Sequence, residues 1–211
     1  MFTRLSSQLT ERENYKLLIG SIIPRPVAVV STLTEKGNLN IAPFSYFNIV
    51  SSNPPIVSLA VQRKNEQMKD TAKNILIRKE AIIQVLDEQN VVEVNKTAAT
   101  LPQEESELTL TNLTTKINRN GSIPPINESK IVFETDLYDH LEIKNEQEVT
   151  ADLFLLKIHT YQLNEEVYDP VSGKINPKKL QPVSRLAGND YATLGEIFTI
   201  PRPNRPPLYS A

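Results

Sequence analysis

Glycine spacing is the strongest constraint on what this 211-residue chain can fold into. Its six glycines are Gly20, Gly37, Gly121, Gly173, Gly188 and Gly195, and no two lie closer than seven positions. A G-x-G-x-x-G turn or a P-loop needs closely spaced glycines so that backbone can approach phosphate. Neither is possible here. Any nucleotide-like ligand must be held by other means.

Other absences narrow the field. With no cysteine, disulfides, Cys-ligated zinc, iron–sulfur clusters and thiol catalysis are excluded. A net charge of -2 without a basic run argues against nucleic acid, whose phosphates call for clustered Lys and Arg. The longest apolar stretch, "LLIGSIIPRPVAVV", is interrupted by Gly20, Pro24, Arg25 and Pro26, so no membrane span is expected. The N-terminus, "MFTRLSSQLTERENYKLL", is polar and of mixed charge, unlike a signal peptide. The expectation is a soluble, cytoplasmic protein with one domain over residues 1–211, including a proline-rich C-terminal extension over 201–211.

Residues 10–20 read as a short helix with Tyr15, Leu17 and Leu18 on its apolar side. Strands are expected at Val27–Ser31 and Ile56–Val61, with Pro24 and Pro26 at the entry to the first. "LTEKGNLN" reads as a hairpin turn. "NIAPFSYFNIVSSNPP" reads as a loop, apolar yet punctuated by Asn, Ser and Pro. "KDTAKNILIRKEAIIQVLD" is a helix, capped by Asp70 or Thr71, and then a strand at Ala81–Leu86. "EQNVVEVNKTAATL" is a further short helix. The polar segment from Ala98 to Pro125 reads as a surface excursion, with Glu104, Glu105 and Glu107 in a solvated loop. "KIVFETDLYDHLEI" and "VTADLFLLKIHTYQL" alternate with period two as strands. The sum is a mainly β protein: a mostly antiparallel β-barrel with peripheral helices.

Two segments offer a binding chemistry. "NIAPFSYFN" combines a stiff Pro43, the polar Asn40 and Ser45, and the aromatic Phe44, Tyr46 and Phe47. A planar cofactor needs such walls and edges, although a core-packing loop would read the same way. "MKDTAKN" places Lys69, Thr71 and Asn74 around a helix start, where unpaired N–H groups attract phosphate. An ordinary surface helix has the same look. The two histidines, His140 and His159, show no metal-ligand spacing and no G-x-S-x-G elbow accompanies them. No metal site and no dedicated catalytic residue is expected.

Read together, "IPRPVAVVST…GNLNIAPFSYFNIVSSNPPIVSLAV", "KDTAKNI" and "NPKKLQPVSRLAGNDYATLGEIFTIPRP" resemble the flavin reductase-like family of FMN-binding split-barrel proteins. The resemblance spans roughly residues 10 to 203. It implies a split barrel that forms a homodimer, with FMN near the dimer interface. By position it implies a flavin-lining segment with Arg25, Pro26, Ser31, Asn40, Ala42, Pro43, Ser45 and Phe47. Lys69, Asp70, Thr71 and Asn74 match a phosphate-side segment, and Arg185, Gly188 and Tyr191 match a late motif near the active site.

The activity implied is that of an oxidoreductase that takes hydride from NADH or NADPH at flavin N5. A small-molecule or protein electron acceptor then receives the electrons. Arg25 or Arg185 is a candidate for the nicotinamide cofactor's phosphates. The alternatives are a flavin-binding electron carrier or flavin store without reductase activity, and a split-barrel heme binder or structural dimer without flavin.

Overall fold

The computed structural model describes residues 1–118 and 121–203. Seven antiparallel strands make the body: β1 Ala28–Leu33, β2 Leu39–Phe44, β3 Phe47–Ser52, β4 Pro55–Gln62, β5 Glu80–Val85, β6 Ile131–Asn145 and β7 Glu148–Leu163. Their order in the sheet is β2-β1-β5-β6-β7-β4-β3, so β2 and β3 are the edges. Around it lie α1 Glu11–Ser21, α2 Asp70–Arg78, α3 Val91–Lys96 and a one-turn α4 Pro177–Leu180. Two small ribbons, β8 Tyr168–Asp169 with β9 Lys174–Ile175 and β10 Ser184–Arg185 with β11 Tyr191–Ala192, complete the late part of the chain.

β1 shows why the body is a closed-up sheet with two covered faces. Ala28 and Val30 join one apolar cluster with Val57, Leu59, Ile75, Ile83, Phe154 and Leu156. Val27 and Val29, one position out of phase, join a second with Ile41, Leu86, Val94 and Val183. Successive side chains of a strand point to opposite faces, so a near-continuous apolar run is what a strand covered on both sides requires. The Thr34–Asn38 turn links β1 to β2 as expected, with Gly37 at φ +85°.

Three expectations are revised. "NIAPFSYFNIVSSNPP" is not a loop but β2, a tight reversal at Ser45 and Tyr46, and β3. Pro43 fits in β2 because it lies on an edge strand, opposite Val29 of β1 with no strand beyond, and its missing N–H breaks no ladder. α1 forms where expected, with a Thr10–Glu13 capping box, but Tyr15, Leu17 and Leu18 are about half exposed and only Ile19 is buried. α2 has Lys69, not Asp70 or Thr71, at its N-cap position, and no side chain caps it.

The β6–β7 ribbon carries one buried charge cluster. Asp152, fully buried on β7, accepts bonds from Arg63 Nε and Nη2, each 2.8 Å, and lies 3.0 Å from His140 Nε2. His140 in turn stacks on Phe154 at a centroid distance of 4.9 Å. From Thr193 to Pro203 the chain runs exposed, without helix or strand. Residues 204–211 of the expected C-terminal extension lie outside the described residues, among which no helix is long and apolar enough to cross a membrane.

Candidate functional site

A groove of two lobes runs along β2, the β2–β3 reversal and the start of α2. The first lobe encloses about 510 Å³ and is lined by Asn40, Ala42, Pro43 and Phe44, by residues 64, 65, 67–71 and 73 around the α2 start, by Thr97–Leu101, and by Glu107. The second encloses about 340 Å³, between Tyr15 and Ile19 of α1, Arg25, Ser45, Tyr46, Asn95, Arg185, Gly188 and Tyr191. Pro43, Lys69 and Ala98 belong to both, so the lobes adjoin. Each volume falls within the range of about 300–1,000 Å³ usual for small-molecule sites.

At the head of the first lobe, the N–H groups of Asp70, Thr71 and Ala72 have no hydrogen-bond partner among the described residues. Lys64, Lys69 and Lys73 line the same lobe. Unpaired N–H groups, a helix N-terminus and ammonium groups together suit a phosphate. Desolvation, with a smaller repulsion from Lys64, holds the Lys69 pKa below the ordinary lysine value. Its ammonium lies 5.7 Å from the centroid of Phe44.

Behind this wall runs a chain of hydrogen bonds. Asn40 Oδ1 accepts from Thr71 Oγ1 at 2.8 Å and from Thr32 Oγ1 at 3.2 Å. Thr32 Oγ1 accepts from Asn74 Nδ2 at 3.0 Å. Asn40 Nδ2 donates to Glu107 Oε1 and the Ile41 N–H donates to Glu107 Oε2, both at 2.9 Å. The start of α2, the edge strand β2 and the polar excursion are thus held together by one carboxylate and one carboxamide.

In the second lobe, Arg25 is a staple. Its Nη1 donates to the Ile19 and Ile22 carbonyls, both at 2.7 Å, and its Nη2 to Leu186 O at 2.8 Å. Nε reaches Ser45 Oγ at 3.5 Å. Its backbone exchanges two hydrogen bonds with Arg185. The C-terminal end of α1 and the late segment are therefore fastened to the β2–β3 reversal through one guanidinium. Arg185 sits 4.4 Å over the Tyr191 ring and donates to Gly188 O, and Tyr191 Oη donates to Asn95 Oδ1 at 3.0 Å. Gly188, at φ +60°, turns the backbone between Arg185 and Tyr191 where a side chain would be strained. Burial pushes the Tyr46 hydroxyl pKa up, Tyr15 adds to the rise, and Arg25 opposes it.

Most of the residues singled out from the sequence come together here. Asn40, Ala42, Asp70 and Thr71 line the first lobe; Arg25, Ser45, Arg185, Gly188 and Tyr191 line the second, and Pro43 and Lys69 line both. Four do not line it. Pro26 is exposed outside the groove. Ser31 is fully buried on the opposite face of β1, accepting from Gln84 Nε2 at 2.9 Å. Phe47 pairs with Leu59 and packs on the core. Asn74 stands one layer back, 1% exposed, and braces Thr32.

Two residues not singled out from the sequence matter here: Glu107 lines the first lobe, and Thr32 is buried directly behind its wall. Thr32 faces Asn40 across the hairpin, and period-two alternation alone selects it over Ser31. Glu107 is 7% exposed rather than solvated, unlike the exposed Glu104 and Glu105, and nothing local in the sequence distinguishes the three. Among the described residues no His, Asp and Glu side chains gather as a metal-ligand set.

Comparison with known proteins agrees in one direction. The sequence pattern described as "Flavin reductase like domain" matches residues 19–177. The uncharacterised protein YwrF of Bacillus subtilis (strain 168) is 44% identical over 205 residues, covering 97% of this chain and all of that one. The crystal structure of nitrilotriacetate monooxygenase component B from Bacillus cereus superposes with a TM-score of 0.91 at 42% identity, over 95% of this chain and 98% of that one. The 2-nitrobenzoate 2-nitroreductase NbaA of Pseudomonas fluorescens superposes with a TM-score of 0.87 at 25% identity, over 99% and 100% of the two chains.

Proposed function

The chain belongs to the flavin reductase-like family, its fold is the split barrel, and from that premise we propose that it is an FMN-dependent oxidoreductase using NADH or NADPH. The observation that carries the choice of site is the first lobe, where uncapped N–H groups of α2 and three lysines face a wall of Asn40, Ala42, Pro43 and Phe44. One phosphate fits at the α2 start without a glycine-rich turn, and a ring system has the β2 wall to lie along.

A flavin held there would supply the redox chemistry, hydride and electron transfer between a nicotinamide donor and a second acceptor. The chain's own part is to bind, orient and exclude water. Lys64, Lys69 and Lys73 offset the phosphate charge. Glu107 orients Asn40, which is tied to Thr71, so the polar edge of the wall is set before a ligand arrives. Polar groups fixed in advance stabilise developing charge without reorganising. Arg25 holds the second lobe open between α1 and the late segment. No side chain is asked to move a proton. The same reading includes a homodimer, since exposed apolar residues of α1 and β3, among them Leu17, Leu18, Ile49 and Val50, are the surface a second copy would cover.

The test is NADH and NADPH oxidation by purified protein loaded with FMN, with ferricyanide as acceptor. A rate well above that of free FMN supports the reductase. FMN bound tightly with no such rate leaves an electron carrier, and no FMN uptake at micromolar concentration overturns the flavin site.

A further inference from the structure

We propose that Arg185, clamped on Tyr191, reads the charge of the second substrate of this site, and that this substrate is a planar ring bearing a carboxylate or phosphate. The inference rests on the flavin reading above, which occupies the first lobe and leaves the second for the partner in electron transfer.

The two arginines of the second lobe are not equivalent. Arg25 is 7% exposed, and its Nη1, Nη2 and Nε all have protein acceptors. It has little left to offer a ligand. Arg185 spends a single N–H bond on Gly188 O and lays one face on Tyr191. A guanidinium has five N–H donors around its edge, and stacking engages its face while leaving that edge for a planar anion. Both ends of the clamp are held beforehand: the Arg185 backbone by Arg25, the Tyr191 hydroxyl by Asn95. A head group fixed in advance loses less side-chain freedom on binding.

The surroundings favour an anion attached to a ring. Arg25, Lys69 and Arg185 line the lobe and no carboxylate does, although the chain as a whole is net negative. Tyr15, Tyr46 and Tyr191 supply aromatic surface in the same small volume. Rings stack on such surfaces, and a charge-assisted bond from a guanidinium is about twice as strong as a neutral one.

Two ligand pairs, each differing in one charged group, test this by calorimetry, the first on protein with and without FMN and the second on flavin-free protein, where no hydride can pass. Benzoate against benzamide probes a small aromatic carboxylate. Reduced nicotinamide mononucleotide against reduced nicotinamide riboside probes the phosphate of the electron donor. In at least one pair the anion is expected to bind about tenfold tighter, the factor that one charge-assisted bond supplies, and which pair responds identifies the source. Arg185→Gln should bring that ratio near one while leaving FMN affinity within about twofold. Ratios near one for both pairs in the wild-type protein, or a preference that survives in Arg185→Gln, overturn the inference. The wild-type comparison stands even if the variant folds poorly. Failure of FMN to bind is a separate result, because the pairs are titrated against the flavin-free protein as well.

Discussion

At the scale of single residues, Asp152 and Glu107 belong, with Asp87 and Glu134, to a small buried group within a largely solvated acidic set. Burial alone would raise the Asp152 carboxyl, but hydrogen bonds from Arg63 and His140 outweigh it and hold its pKa below the ordinary aspartate value. A carboxyl lowered in the folded state adds stability that is complete above the unfolded pKa of about 3.9 and is lost as pH falls through the lower folded value. Asp152→Asn should therefore cost about 3 kcal/mol at pH 7, since it leaves Arg63 without its buried anion. The gap from wild type should narrow below pH 4. Urea melts at pH 7 and pH 3 check both statements, and an equal gap at the two values would contradict them.

Glu107 acts on the site instead. Replacing it with Gln turns an N–H donor toward either Asn40 Nδ2 or the Ile41 N–H, each of which now donates to it. Two donors facing each other in a buried place cost about 1–3 kcal/mol. FMN affinity of Glu107→Gln should fall about tenfold, read by quenching of flavin fluorescence. Arg25→Ala should be damaging for a different reason, leaving the Ile19, Ile22 and Leu186 carbonyls without their cation. Bonds to charged groups are worth about 1.5–3 kcal/mol each, so a drop in Tm together with a raised KM for the nicotinamide is the expected result.

Among the elements, α1 owes its start to a local signal and its place to a distant one. The Thr10–Glu13 box satisfies orphan N–H groups on its own, and Thr10→Ala should cost about 1 kcal/mol, measured as a shift in chemical denaturation. The end of α1 is held by Arg25, a contact made after the helix has already stopped. β2 and β3 illustrate the converse. Their interleaved Asn, Ser, Pro and aromatic residues read as a loop because edge strands tolerate what central strands reject. Pro43 is acceptable only because β1 pairs with β2 on one side and nothing pairs on the other. Edge position is a property of the sheet and leaves no mark on the segment itself.

For the whole molecule, the apolar surface left on α1 and β3 is the main unspent feature. Leu17, Leu18, Ile22 and Ile49 are each at least half exposed, apolar area of the kind that a partner surface covers. The proposed homodimer should sediment at twice the 23.8 kDa chain mass, and Leu18→Glu should shift the distribution toward the monomer. Sedimentation of the wild-type protein at the single-chain mass would count against it.

What the sequence by itself determined is the alphabet and order of this protein. Absent cysteines and scattered glycines removed whole classes of chemistry. Apolar runs placed β1, β4 and β5, and period-two alternation β6 and β7, to within a few residues, and the α2 segment stood out as a helix start rich in phosphate-binding groups. Tertiary structure alone decided which of these residues share a wall. The pairing of Ser31 with Ile41 turned Ser31 away and brought Thr32 to Asn40. A contact spanning the chain from Arg25 to Leu186 made one arginine a staple and left the other open. Glu107 was drawn from a polar run into the β2 backbone. Local pattern reports the conformation a segment prefers, because propensity acts over a few residues. Which face meets which partner is set by register and by contacts far apart in sequence, and these exist only once the sheet has closed.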